Sequence, residues 1–153
     1  MQKITTCLWF DGQGEEAAKF YCGIFRNSKV KQVTHYGDAG PGPKGSVMTV
    51  VFELDGREFM ALNAGPAFKF NHAISLMVNC ETQQELDEMW DKLSAGGATE
   101  QCGWLRDRYG LSWQIVPAIL PQLFKDPAKT EKLMREVVKM TKLDIATLQK
   151  AVA

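Results

Sequence analysis

A chain of 153 residues suits one compact domain, or two very small modules sharing a core. Apolar residues make up 45 % and charged residues 24 %, the balance of a soluble globular protein. Lysine plus arginine equals aspartate plus glutamate at 18 each, so the formal net charge is zero, which argues against nucleic acid as the main partner because displacing counterions needs a cationic excess.

No run reaches the roughly 18–20 apolar residues of a membrane helix. MQKITTCLWFDG lacks the charged start, long apolar stretch and small-residue cleavage site of a signal peptide. A cytoplasmic protein with no membrane partner is therefore expected. Cys7, Cys22, Cys80 and Cys102 are widely spaced with no CxxC pair and read as buried free thiols.

ITTCLWF (4–10) is β-branched and aromatic and predicts a strand, and GEEAAKFYCGIF (14–25) carries a helical face of Ala17, Phe20, Tyr21, Ile24 and Phe25. Strands follow at 29–37, 46–56 and 57–65, with Asp55-Gly56 marking a tight hairpin. GDAGPGPKG (37–45) holds four glycines and two prolines and predicts a loop able to act as a flap.

The order then partly repeats. AISLMVNC (73–80) predicts a strand, and Thr82 with Glu85 forms a T-x-x-E box opening a helix with the stripe Leu86, Met89, Trp90, Leu93, closed by Gly96-Gly97. TEQCGWLRD (99–107) and GLSWQIVP (110–117) predict two more strands around a turn at Arg108–Gly110. TTCLWF aligns with AISLMV, pairing Cys7 with Ser75 and Leu8 with Leu76, which suggests a duplicated module. In the tail, Asp126-Pro127 starts a helix with the stripe Leu133, Val137, Met140, and Asp144 caps a last short helix.

This order and the strings GPAFKFNHAISLMVNC (65–80), QQELDEMWDKLSAGG (83–97), CGWLRDRYGLSWQIVP (102–117) and KLDIATLQKA (142–151) resemble the PhnB-like branch of the vicinal oxygen chelate superfamily. That superfamily includes glyoxalase I, bleomycin-resistance proteins and extradiol dioxygenases, and this branch often carries the label demethylubiquinone methyltransferase. The resemblance implies an α+β fold of paired βαβββ modules (the glyoxalase/bleomycin resistance fold) with C-terminal helices. It implies one domain over 1–153, with modules about 3–65 and 72–117 and a helical tail at 120–152, usually in homodimers.

Metal-dependent members place a histidine on the first strand of each module and a carboxylate on the last, whose strand often reads D-P-x-G-N-x-x-E-L. Asp107 to Ile115 fits that frame with Gln114 at the carboxylate position, while the histidine positions fall at Thr5 and Ala73 and the fourth near Ala61 or Asn63. A neutral amide is a weak donor, and a divalent transition metal wants imidazole, thiolate or carboxylate, so no metal is expected. His72 adjoins Ala73, but a shift of one residue in a strand turns a side chain to the other face. No G-x-G-x-G follows the first strand, so no S-adenosylmethionine cradle or other cofactor is expected either. G-x-S-x-G is also absent.

What remains is a cleft built of aromatic and neutral polar groups. Trp9, Trp104 and Trp113 supply flat apolar surface for a planar ligand, with Asn63, Ser75 and Gln114 as its polar contacts. The expected activity is binding of a small apolar or planar molecule in the cleft of a homodimer. The alternative is an enzyme acting on a small metabolite, a lyase, isomerase or transferase, with His35 as the acid–base group and Tyr36 or Asp38 assisting. A third reading is an interaction module using the tail helices.

Overall fold

In the computed structural model, described for residues 2–153, the chain forms two compact units, one ending at Lys69 and one spanning Phe70–Ala153. The first contains β1 (Thr6–Phe10), α1 (Gly14–Cys22), β2 (Lys29–His35), β3 (Val47–Leu54) and β4 (Arg57–Asn63). Its sheet has the order β1-β4-β3-β2, with β1 parallel to β4 and the other pairs antiparallel. The β3–β4 turn is the hairpin expected from Asp55-Gly56, and both residues take positive φ, 50° and 77°, as a type I′ turn requires.

Parity in the strands sets two faces. Leu8, Phe10, Val50, Phe52, Leu54, Phe59 and Ala61 are buried on the face that receives α1 through Ala17, Ala18 and Tyr21, with Phe52 stacked between Tyr21 and Phe59. The other face carries Cys7, Trp9, Thr49, Val51, Met60 and Leu62, of which none is fully buried.

The second unit repeats the plan with β5 (Ser75–Cys80), α2 (Gln83–Ser94), β6 (Ala98–Thr99), β7 (Trp104–Arg106) and β8 (Ser112–Pro117), in the sheet order β5-β8-β7-β6. β5 runs parallel to β8, as β1 does to β4. Leu8 sits beside Ala61 and Leu76 beside Trp113, so the pairing of Cys7 with Ser75 read from the sequence is also the pairing in the sheets. Leu105, Trp113 and Ile115 are buried on the α2 side with Leu86, Trp90 and Leu93.

Where the sequence predicts one strand over 99–107, the structure breaks it. Cys102 and Gly103 both take positive φ, 61° and 85°, and their N–H groups donate to Met140 and Thr141 carbonyls in the tail, at 2.8 Å each. The tail holds α3 (Leu120–Leu123), α4 (Pro127–Val137) and α5 (Ile145–Ala151). Asp126 and Asp144 cap the last two as expected, accepting from Ala128 and Thr147 N–H. Among the described residues no helix is long and apolar enough to cross a membrane.

Candidate functional site

The face of the second sheet turned away from α2 gathers the polar chemistry. Register places Ser112 beside Ser75 and Arg106, and Gln114 beside Met77 and Trp104, so all six side chains share one face. The Gln114 amide donates to Ser75 Oγ at 2.9 Å, and its carbonyl oxygen has no partner among the described residues. Ser112 is fully buried, and its hydroxyl likewise has no partner there. Arg106 is held by Nε on Glu100 Oε2 at 3.0 Å, and the same carboxylate takes His72 Nε2 at 2.9 Å. The His72 ring lies 6.2 Å from that of Trp104.

Ser75, Trp104 and Gln114 are thus brought together. Trp113 points to the opposite face, where it is buried and donates Nε1–H to Asp107 Oδ2 at 2.8 Å. Asp107 also accepts from Tyr109 and Leu111 N–H, so the D-R-Y-G frame is a turn anchored by its own carboxylate.

In the first unit Trp9 lies on the face turned away from α1, with its indole N–H on the Gly65 carbonyl at 2.9 Å and its ring edge-on to Phe68 at 5.0 Å. Asn63 is on the helix side. Its Oδ1 accepts from Gly14 N–H at 2.8 Å and its amide donates to the Val47 carbonyl, so it caps α1 from β4, in place of the missing cap at Gln13.

His35 is exposed at the end of β2, with no carboxylate partner among the described residues. Its neighbour Tyr36 is buried and donates its hydroxyl to the Asn63 carbonyl. Gly40 and Gly42 lie against the Tyr36 ring, so closely at Gly42 that an added Cβ would come within 2.3 Å of it. The Gly/Pro segment is therefore wrapped on an aromatic post, and Tyr36 is that post. Asp38 is exposed and pairs with Lys44.

The register also decides which positions meet across the strands. Ser75 touches Gln114, and its counterpart in the first unit is Cys7, while Ala73 and Thr5, the histidine positions the resemblance implies, precede β5 and β1. The counterpart of Gln114 is Leu62, since Trp9 pairs with Leu62 as Met77 pairs with Gln114, whereas Ala61 and Asn63 face α1. Each unit then offers a first-strand and a last-strand position: Cys7 with Leu62, and Ser75 with Gln114. Neither pair suits zinc, nickel or iron: one is an exposed thiol, whose pKa burial raises, with an alkyl chain, and the other a hydroxyl with an amide. Among the described residues no three His, Cys, Asp or Glu side chains come together as a metal-binding group.

The residues that sequence reading missed are Arg106, Ser112 and the His72–Glu100 pair. The W-L-R alternation already placed Arg106 on the face of Trp104. Nothing in the sequence told that Glu100 would bridge Arg106 and His72. A depression of about 380 Å3 lies elsewhere in this unit, lined by Cys80, Glu81, Pro117, Ala118, Ile119, Ile145 and Gln149, where the tail meets the strand ends. None of the residues predicted for ligand binding lines it.

Comparison with known proteins agrees with this geometry. Residues 2–116 match the 3-demethylubiquinone-9 3-methyltransferase family. The PhnB protein of Bacillus cereus is 40 % identical, covering 76 % of this chain and 98 % of its own, with a TM-score of 0.69. At fold level the chain is similar to glyoxalase I of Leishmania major (11 % identity, 86 % and 97 % coverage, TM-score 0.51). It is also similar to the fosfomycin resistance protein FosX of Listeria monocytogenes (13 %, 80 % and 94 %, 0.50). No curated protein sequence matches. Two four-stranded βαβββ units, a matching family model over three quarters of the chain and close identity to a PhnB protein establish membership: the chain belongs to the 3-demethylubiquinone-9 3-methyltransferase family, the PhnB-like branch of the vicinal oxygen chelate superfamily.

Proposed function

We propose that this protein binds a small planar or apolar molecule on the sheet faces turned away from α1 and α2, without a metal. The observation that carries the reading is the Gln114–Ser75 pair, a neutral amide on a hydroxyl, with the amide at the position where the family resemblance implies a carboxylate. Beside it the Trp104 indole offers a flat apolar surface, and Trp9 offers another in the first unit. The half-buried amide keeps one acceptor open, which orients a ligand without requiring charge.

The family's name points to methyl transfer, and S-adenosylmethionine would supply the methyl group. The common cradle for that cofactor is a glycine-rich turn opening a helix in a parallel sheet. Here the corresponding place is filled: Asn63 occupies the α1 N-terminus, and a Cβ at Gly14 would lie 2.8 Å from its Oδ1. Both sheets are mixed. The residues present do not fit the cofactor in that mode.

Acid–base catalysis on a metabolite is the second reading, and the His72–Glu100 pair favours it over His35. Glu100 fixes one imidazole nitrogen and leaves the other open. Four free thiols fit a reducing, cytoplasmic setting, and a homodimer completes the proposal.

Native mass spectrometry of untagged protein tests the binding reading. A stoichiometric organic adduct, lost on Gln114→Leu or Trp104→Ala, is the expected result. Stoichiometric zinc, nickel or iron would overturn it.

A further inference from the structure

We infer that the second unit holds a further binding site, the depression at the carboxyl ends of β5 and β8, and that it takes a small organic ammonium with an apolar body. Its volume of about 380 Å3 is that of a small-molecule site. Cys80 and Pro117 are the last residues of the two parallel strands and pair with each other, and Ala118 N–H donates to the Cys80 carbonyl at 2.8 Å. Glu81 and Ile119 continue this wall, and α5 closes the other side with Ile145 and Gln149. Both walls are fixed. The Gln83 amide donates to the Leu143 carbonyl at 3.1 Å, its oxygen accepts from Ile145 N–H at 2.8 Å, and Leu148 of α5 is buried. By strand parity Cys80 and Pro117 fall on the α2 side of the sheet, away from Gln114 and Trp104, so this site does not rest on the one proposed above.

The charge of the wall names the ligand. The Glu81 carboxylate has no partner among the described residues, and neither has the Gln149 side-chain amide. The Cys80 sulfur on the same wall reports the local field: burial first, then the Glu85 and Glu81 carboxylates raise its pKa, and no cation counters them. The α2 N-terminus beside Glu81 draws no anion, because the Thr82 hydroxyl already accepts from Glu85 N–H and the Glu85 carboxylate from Glu81 N–H. An ammonium is the complement of this wall, with the Glu81 carboxylate and the Gln149 amide oxygen as its acceptors. Pro117, Ala118, Ile119 and Ile145 supply apolar surface for the body attached to it. Ile119 is otherwise left 38 % exposed, and covering it favours binding.

Amide NMR of the isotope-labelled full chain at pH 7 tests this, with benzylamine, which is protonated there, and the neutral benzyl alcohol as probes. The expected result is saturable shifts centred on the amides of Ala118, Ile119, Ile145 and Gln149. Benzylamine should bind severalfold tighter, an advantage that shrinks in high salt. Glu81→Gln should remove most of that advantage and leave benzyl alcohol unaffected. Ile145→Trp should fill the depression and weaken both probes. Where that variant fails to fold, Glu81→Gln still decides, because its side chain is exposed and outside the core. Shifts absent from these amides, equal affinity for the two probes, or an advantage untouched by Glu81→Gln each overturns the inference. All three leave the sheet-face reading standing, since Gln114 and Trp104 take no part in this site.

Discussion

At the scale of single residues, Asp107, Gln114 and Cys80 show three different fates of a polar side chain. Asp107 is buried and receives three donors, Tyr109 N–H at 2.8 Å, Leu111 N–H at 3.1 Å and the Trp113 indole at 2.8 Å. Asp107→Ala leaves a buried indole N–H without a partner and removes charge-assisted bonds, so a loss on the order of 3 kcal/mol is expected. A lowered urea midpoint with unchanged m checks it. The contact of Gln114 with Ser75 was not legible in the sequence, because only the register of β5 on β8 decides which first-strand residue it meets. Gln114→Glu restores one carboxylate amid Ser75 and Met77, so no zinc is expected to survive desalting; stoichiometric zinc would show that further ligands converge there. Cys80 is buried, and burial, followed by the Glu85 and Glu81 carboxylates, pushes its thiol up to about 12. It should resist iodoacetamide at pH 8 in the folded protein while exposed Cys7 reacts, as peptide mapping would show.

At the scale of elements, caps and hairpins were readable because their chemistry is local. Thr82 accepts from Glu85 N–H as the T-x-x-E box predicts, although the Glu85 carboxylate returns to Glu81 N–H, one residue before the cap. The break between β6 and β7 was not readable, because the carbonyls that hold it belong to residues 140 and 141, far along the chain. At Gly103 the φ of 85° and an added Cβ only 3.0 Å from the Ile115 carbonyl oxygen predict that Gly103→Ala costs roughly 2 kcal/mol. The tail carries a pH dependence of its own. Asp144 has a lowered pKa, first through the Thr147 N–H bond, and Asp87 has one, first through the Gln83 amide, which also holds the Leu143 carbonyl and, through its own oxygen, Ile145 N–H. Carboxyls depressed in the folded state stabilise it above their unfolded values and lose that contribution as pH falls through the folded ones. Protection of the α5 amides against exchange, taken relative to the intrinsic rate at each pH, should therefore fall below about pH 4, and Asp144→Asn should flatten that dependence.

At the scale of the whole molecule, duplication was visible in a six-residue match, and it reappears as one strand order used twice, β1-β4-β3-β2 and β5-β8-β7-β6. In each unit the first strand is an edge strand, with one side of its backbone unpaired in the sheet. Large apolar side chains gather at these edges: Ile4, 82 % exposed, just before β1; Ile74, 68 %, just before β5; and Met77, 53 %, on β5 itself. Fully covering such a side chain is worth about 1.5–3 kcal/mol, so leaving all three in water opposes solubility. Exposed apolar edges of this kind are aggregation-prone unless covered, and a second copy of the chain would cover them symmetrically. Sedimentation equilibrium is accordingly expected to return a dimer at micromolar concentration. Met77→Lys with Ile74→Lys places like charges on the edge and should give a monomer of unchanged circular dichroism, because both side chains are exposed and neither belongs to a core. A monomeric wild-type chain, or a dimer indifferent to both lysines, would remove the β5 edge from the interface.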